Sequence, residues 1–260
     1  MADKITEKYR SAIEKNFPEL KVTSLEYLSE GWDSVACLVN DGLIFRFPKR
    51  EEVEQSLKRE IIMLPELALH LPRPIPKFKY IANPPKEGFD YTFVGYEMLK
   101  GWLEEDWPPE LLEAKWWRPQ LGEFVTALHN FPVARARELG VKNLAFTGIE
   151  GTPASWREMF EEYYSLVRNR IFPLLSDEAQ DGVADYFEDF LDDDDCFKFE
   201  PILLHGDLDS THILLDLEKQ QIKGIIDFGD MAIGDPAFDI MESVLPYYKG
   251  QMDQDRKSVV

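Results

Sequence analysis

Three short apolar runs near the C-terminal end, Ile202–Leu204, Ile213–Leu215 and Ile222–Ile226, constrain this chain more than any other feature. Runs of this length, bounded by glycine and aspartate and rich in isoleucine and leucine, read as buried strands. The first opens into His205-Gly206-Asp207, the second is entered from His212, and the third delivers Asp227 into Phe228-Gly229-Asp230. A single aspartate after a strand is ordinary turn chemistry. Here the device repeats, so Asp207, His212 and Asp227 can converge on one cleft. Phosphoryl transfer needs such a set: one carboxylate to orient the attacking hydroxyl and take its proton, and further groups to hold magnesium on nucleotide phosphates.

Calcium is a competing reading, because Asp207, Asp209, Thr211 and Glu218 occupy the first, third, fifth and twelfth places of an EF-hand-like loop. The sixth place of such a loop requires glycine and holds His212, and the flanks read as strands where helices are needed.

Upstream, Val22–Leu28, Ser34–Val39 and Leu43–Phe47 alternate apolar and polar positions as strands do, and Asn40-Asp41-Gly42 is a hairpin turn. Glu51–His70 places Val53, Leu57, Ile61, Leu64 and Leu67 at helical spacing and stops at the Pro72–Pro76 cluster. Lys77–Ile81 and Tyr91–Leu99 read as two more strands around a Pro84–Gly88 turn. Past Lys100-Gly101 the period becomes helical, over Pro109–Asn130, Ser155–Phe172 and Asp177–Leu191, with Asp192–Asp195 as an exposed, fraying helix end. The expected fold is α+β and two-lobed. Residues 1–99 form a five-stranded antiparallel sheet with one main helix, and residues 100–260 a mainly helical lobe holding a small strand island. The tail from Lys249 to Val260 is polar and is expected to hang free.

The 260 residues carry 49 acidic against 29 basic side chains, a net charge of −20, which argues against nucleic acid or anionic membrane as partners. The excess acid reads first as a solvating surface and second as a match for a cationic ligand. Cys37 and Cys196 lack the paired spacing of a zinc or redox site. No apolar run is long enough to span a bilayer and the N-terminus is charged, so a soluble cytoplasmic monomer is expected.

The segment HGDLDSTHILLD followed by IIDFGDMAIGDPAFD resembles the catalytic core of the aminoglycoside phosphotransferase family, relatives of the protein kinases. The resemblance extends upstream. Ser29-Glu-Gly-Trp-Asp-Ser34 is similar to the family's phosphate-covering loop, Phe45-Arg46-Phe47 to its third strand, and Arg59-Glu60 to the helix that carries an ion-pair glutamate. It implies Asp207 as the catalytic base or hydroxyl-orienting residue, and His212 and Asp227 as ligands for one or two Mg2+ ions. Arg46 stands where the family usually has lysine, and is expected on the phosphates with Glu60 holding it. A purely structural salt bridge is the other account of that pair. His212 stands where asparagine is usual, and histidine there resembles the 2''-phosphotransferase branch, as do Gly31-Trp32-Asp33 and Phe93-Val94-Gly95-Tyr96.

By the same resemblance, ATP or GTP is the co-substrate, met at the hinge by Glu97 and Leu99 backbone groups, with Tyr96 near the gatekeeper place and Ser29 and Ser34 over the phosphates. The acceptor implied is a small cationic aminosugar, with a macrolide or metabolite kinase and a nucleotide-binding pseudokinase as alternatives. Asp230, Asp235, Asp239 and Glu242 can line an acidic pocket for it, although Asp235 also suits a cap on a helix starting at Pro236. His205 is expected to bond to the backbone of the catalytic turn and His129 to be a packed core histidine. Members of the family typically continue past this chain's last helix, so the expectation is either a shortened substrate lobe or a truncated form whose nucleotide site is intact and whose acceptor site is open.

Overall fold

A computed structural model describes residues 2–82, 88–103, 107, 115–145 and 155–240. Strands β1 (Leu25–Glu30), β2 (Ser34–Val39), β3 (Leu43–Pro48), β4 (Phe78–Ile81) and β5 (Val94–Glu97) form one antiparallel sheet in the order β1-β2-β3-β5-β4. The β2–β3 turn has Asn40 at φ 52° and Asp41 at φ 53°. Both lie in the left-handed region, as a tight hairpin with the twist of its strands demands. The Asn40 side chain fixes that turn by accepting from the Thr23 and Ser24 backbone N–H groups.

Side chains on β3 alternate between two environments, as the period of a strand requires. Phe45 and Phe47 are fully buried on one face, while Arg46 turns to the other. The buried face is covered by α1 (Ala2–Asn16), whose Tyr9, Ala12 and Ile13 pack with Phe17, Phe45, Phe47 and Phe93. This N-terminal helix is an addition to the single helix expected for the lobe. Its apolar positions are few and lie between charged residues, so the strand-like segments after it dominate the sequence pattern. Gly95 completes the face. A Cβ there would lie 2.5 Å from the Phe45 ring, so only glycine lets that ring lie across β5.

The opposite face belongs to α2 (Glu51–His70), which aims Glu60 at Arg46 and then runs on into a second core. Its Met63, Leu64 and Leu67 pack with Phe124, Leu128, Leu203, Leu208, Ile213, Phe228 and Ile233 from the helical half. The helices there are α3 (Trp117–His129), α4 (Val133–Glu138), α5 (Trp156–Arg170) and α6 (Asp177–Asp192). Ser155 and Ser176 cap the last two by accepting from Glu158 and Ala179 N–H groups. The aspartates after α6 are ordered differently from the frayed end expected: Asp193 caps a 3-10 turn over Asp194–Phe197.

The strand island consists of two pairs. β6 (Ile202–Leu204) pairs with β9 (Ala232–Gly234), and β7 (Ile213–Asp216) with β8 (Gln221–Ile225). The strand β9 was not expected; three residues ending in glycine leave no readable period. Two of the segments that connect the halves are bonded to the second pair. The Ile225 N–H donates to the Pro74 carbonyl (3.0 Å), and Trp102 and Leu215 exchange two backbone bonds of 2.8 and 3.0 Å. Among the described residues, no helix is long and apolar enough to cross a membrane. The expected turn at Pro84–Gly88 lies mostly outside the described residues, as do residues 109–114 of the expected Pro109–Asn130 helix and the whole C-terminal tail.

Candidate active site

The site is assembled where β3, α2 and the loops after β6 and β8 meet. Arg46 reaches from β3 to Glu60 on α2 with two bonds, Nη1 to Oε2 at 2.9 Å and Nη2 to Oε1 at 3.1 Å. Glu60 is almost wholly buried, at 1% side-chain exposure. Burial raises its pKa more than Arg46 lowers it. Burial pulls the guanidinium the other way, but the Glu60 and Asp227 charges outweigh it and hold Arg46 firmly protonated. Arg46 also touches Asp227, Nη2 to Oδ1 at 3.3 Å. The pair seen from sequence is therefore a bridge between two carboxylates, which a structural salt bridge alone does not require.

Asp227 leaves β8 with φ 64°, a conformation that aspartate tolerates better than most residues but that costs energy and clusters at functional sites. Burial pushes its carboxyl up. Arg46, the two nearby imidazoles and the Gly229 N–H more than offset this, and its pKa ends below the usual range. It is an anion at neutral pH.

His212 ends a 3-10 turn over Ser210–His212 whose cap is Asp209, accepting from the Thr211 N–H at 2.7 Å. Its Nδ1 lies 2.8 Å from the Asp207 carbonyl. A carbonyl only accepts, so Nδ1 carries a proton, and Nε2 is the nitrogen that bears the lone pair in the neutral ring. That Nε2 lies 3.8 Å from Asp227 Oδ2, and Asp207 Oδ2 lies 3.7 Å from Nδ1. Asp207, His212 and Asp227 are thus brought together, with Asp207 and Asp227 about half exposed at 40% and 46%.

The turn bearing Asp207 is held from behind. Gly206 has φ 86°, and a Cβ there would overlap the Asp230 carbonyl. Asp239 is completely buried and accepts from the His205 N–H (2.9 Å), the Gly206 N–H (3.0 Å) and His129 Nε2 (3.0 Å). This corrects its expected place on a substrate pocket. His129 is correspondingly a bonded partner and not simply packed. His205 bonds through its ring Nε2 to the Ile226 carbonyl (3.1 Å), beside Asp227 and not within its own turn. Burial holds that imidazole neutral by lowering its pKa to about 4.

The remaining expected residues are distributed around this centre. Ser34 begins β2, and its carbonyl accepts from the Gly31 N–H (3.1 Å), closing the loop; the Ser29 side chain lies outside the described residues. Lys49 bonds to the Gly31 carbonyl, and Arg50 to the Trp32 carbonyl and the Asp33 carboxylate. Tyr96 is buried, its phenol pushed up to about 12 by burial and its charge environment shared with Arg46 and Glu60. Glu97 is exposed at the end of β5, the Met98 N–H is spent on the Gly42 carbonyl, and Leu99 packs on Gly224 of β8. Asp230 is exposed, and burial, Asp207, Asp227 and Asp33 raise its pKa. Asp235 Oδ1 accepts from the Ala237 N–H (2.9 Å), so the carboxylate left open between cap and substrate contact is engaged as a cap. Glu242 lies outside the described residues.

No group of three His, Cys, Asp or Glu residues among those described is set to enclose a metal. His212 Nε2 and Asp227 offer two donors on one side, which fits an ion such as magnesium that takes its other ligands from phosphates and water. Two surface depressions of about 590 and 280 Å³ lie elsewhere, both bordered by Pro72.

A model of the phosphotransferase enzyme family matches residues 24–255. A curated relative, the uncharacterized protein YcbJ of Bacillus subtilis strain 168, is 25% identical over 206 residues. The match covers 76% of this chain and 61% of YcbJ, so the chain spans less than two thirds of that relative's length. Among solved structures, the GDP and kanamycin complex of APH(2'')-IIIa is 31% identical with a TM-score of 0.79, covering 91% of this chain and 77% of that one. The GDP complex of wild-type aminoglycoside 2'-phosphotransferase-IIIa is 30% identical with a TM-score of 0.81, covering 92% and 77%. Macrolide 2'-phosphotransferase MphH from Brachybacterium faecium shares the fold at 22% identity and a TM-score of 0.69, covering 89% and 76%. The similarity runs through both halves of the molecule and through every element that carries Arg46, Glu60, Asp207, His212 and Asp227, and the chain belongs to the phosphotransferase enzyme family.

Proposed function

We propose that this chain transfers the terminal phosphate of ATP or GTP to a hydroxyl of a small acceptor, specifically an aminoglycoside. The observation that carries this reading is the His212 ring, set between Asp207 at its Nδ1 side (3.7 Å) and Asp227 at its Nε2 side (3.8 Å), beside a buried Arg46–Glu60 pair. Asp207 orients the acceptor hydroxyl and receives its proton as the oxygen bonds to the terminal phosphorus; the bond to the bridging oxygen breaks and the nucleoside diphosphate leaves. His212 Nε2 and Asp227 are the residues that would hold magnesium, which when bound neutralises charge on the phosphate oxygens. Arg46, anchored on Glu60, places a fixed positive charge where the phosphates arrive, and the loop from Ser29 to Ser34 covers them.

Support for the acceptor class comes from the −20 charge, from the acidic grouping of Asp33, Asp207, Asp227 and Asp230, and from kanamycin in the complex of a 31% identical relative. GDP in two such relatives supports GTP beside ATP. The acidic surface favours neither nucleic acid nor anionic membrane as partner.

The test is phosphate transfer from ATP and GTP, assayed separately against aminoglycosides and macrolides, for wild type and Asp207→Asn. The expected result is transfer to aminoglycosides that the variant lacks. Unchanged turnover in Asp207→Asn sinks its role, and transfer to macrolides alone sinks the acceptor class. Nucleotide binding without transfer to any acceptor sinks the activity itself.

A further inference from the structure

The tip of the loop between β1 and β2 is fastened to the corner where β3 ends and α2 begins. Lys49 and Arg50 form that corner, and between them they take up the carbonyls of Gly31, Trp32 and Asp33. Lys49 Nζ donates to the Gly31 carbonyl (2.7 Å), Arg50 Nη1 to the Trp32 carbonyl (3.0 Å) and the Lys49 N–H to the Asp33 carbonyl (2.9 Å). Arg50 Nη2 adds a bond to the Asp33 carboxylate at 2.6 Å. The Trp32 side chain is 93% exposed, so packing contributes little to holding the tip. Across a planar trans peptide the carbonyl and the following N–H point opposite ways. Carbonyls turned to the corner therefore turn the Trp32 and Asp33 N–H groups away from it, and neither N–H meets an acceptor among the described residues. Two successive N–H groups presented in this way suit an anion. The same corner joins Arg46 on β3 to Glu60 on α2, so the loop and the buried ion pair share one frame.

We infer that Arg50 is a positioning residue for the proposed transfer: its fork sets the tip of the loop, ahead of nucleotide binding, with the Trp32 and Asp33 N–H groups presented to the phosphates. This rests on the phosphotransferase reading. Both terminal nitrogens of Arg50 are spent on the loop, so its action on the nucleotide is indirect. Without the fork the tip samples other conformations, and the apparent dissociation constant of the nucleotide rises by the inverse of the fraction that stays in place. Charge alone predicts something else. Were Arg50 to act by attracting phosphates, lysine would replace it, and removing the anion Asp33 beside the same loop would tighten nucleotide binding. A pinned tip requires that both Arg50 and Asp33 variants bind less tightly, although their charge changes are opposite.

The experiment titrates wild type, Arg50→Met, Arg50→Lys and Asp33→Ala calorimetrically with GDP and ADP in Mg2+, and measures guanosine and adenosine by competition. In Arg50→Met the dissociation constant of the preferred diphosphate is expected to rise about fivefold to twentyfold, with that of its nucleoside within roughly twofold of wild type. Arg50→Lys keeps the charge without the fork and recovers only part of the loss. Asp33→Ala weakens diphosphate binding about twofold to fivefold, because the Arg50 bond to the Trp32 carbonyl remains. The nucleotide KM rises in step while kcat stays near wild type. Both partners of the pair are half exposed, at 50% each, so the urea midpoint moves little. Unchanged diphosphate affinity in Arg50→Met overturns the inference, as does tighter binding in Asp33→Ala, full recovery in Arg50→Lys or an equal loss for the nucleoside. A wild type that binds a diphosphate yet transfers to no acceptor sinks the activity alone, and the titrations then decide the inference. A wild type that binds neither diphosphate sinks the phosphotransferase reading and the inference with it.

Discussion

Arg46 gives both of its terminal nitrogens to Glu60, at 2.9 and 3.1 Å, and still reaches Asp227, which lies 181 positions further along the chain, at 3.3 Å. One cation thus serves an acid from each half of the molecule. A lysine, with a single point of charge, cannot make the two parallel bonds to Glu60 and hold Asp227 as well.

Arg46→Met leaves Glu60 buried and unpaired, and the expected cost is about 3 to 5 kcal/mol of unfolding free energy, read by urea denaturation. The loss depends on pH in a defined direction. Glu60 already titrates above its ordinary value and rises further without Arg46, so its protonated form stabilises the variant in acid and that contribution disappears as pH rises through the folded pKa. The deficit against wild type should therefore shrink as pH falls. A deficit that is small or independent of pH contradicts the buried-pair account.

His205 supplies the opposite sign. Its pKa drops from 6.5 to about 4 on folding, so the unfolded chain binds the extra proton between those values. Stability is complete above pH 6.5 and falls as pH drops toward 4, by about 3 kcal/mol in all. Glutamine at this position keeps a donor for the Ile226 carbonyl and cannot titrate. The pH 7 to pH 4 loss should then be smaller in His205→Gln than in wild type by that amount, and parallel pH profiles would remove burial of a neutral imidazole from the account.

An imidazole at His212, with Nε2 turned toward Asp227, predicts a metal preference. Imidazole suits manganese better than magnesium, which favours oxygen. In His212→Asn, turnover and metal–nucleotide binding measured by calorimetry should both shift toward Mg2+ relative to Mn2+. An unchanged ratio means that the imidazole does not touch the ion.

Gly95→Ala tests the packing under the site. A methyl group 2.5 Å from the Phe45 ring forces that ring out of place, at an expected cost of about 1 to 3 kcal/mol. Because the two residues touch, Phe45→Leu should recover part of the loss when combined with Gly95→Ala in a double-mutant cycle of thermal denaturation. Additive effects would show that the sheet absorbs the methyl elsewhere.

The parts of this molecule legible in its sequence are those whose cause is local. Asp207, His212 and Asp227 stand at the ends of apolar runs, and Arg46 lies between two phenylalanines whose alternation dictates that it faces away from them. The helix α1 was hidden because four apolar residues, Tyr9, Ala12, Ile13 and Phe17, gain their meaning only against a sheet formed later in the chain. The same holds for β9, which pairs with a strand some thirty residues earlier, and for Asp239 and His129, whose partners are chosen by tertiary closure. An acid at this place in the sequence gives no local sign that its oxygens will accept from a turn elsewhere in the chain.

The backbone bonds from Pro74 to Ile225 and between Trp102 and Leu215 determine how the molecule can breathe. Two segments that connect the halves are fastened to the β7–β8 hairpin, the same hairpin that is entered from His212 and left through Asp227. Any relative movement of the halves works against bonds to that one hairpin, at whose end His212 and Asp227 sit. Side-chain pairs across the halves, Arg46–Asp227, Glu66–Arg135 and Arg73–Glu123, share that resistance with the packing of α2.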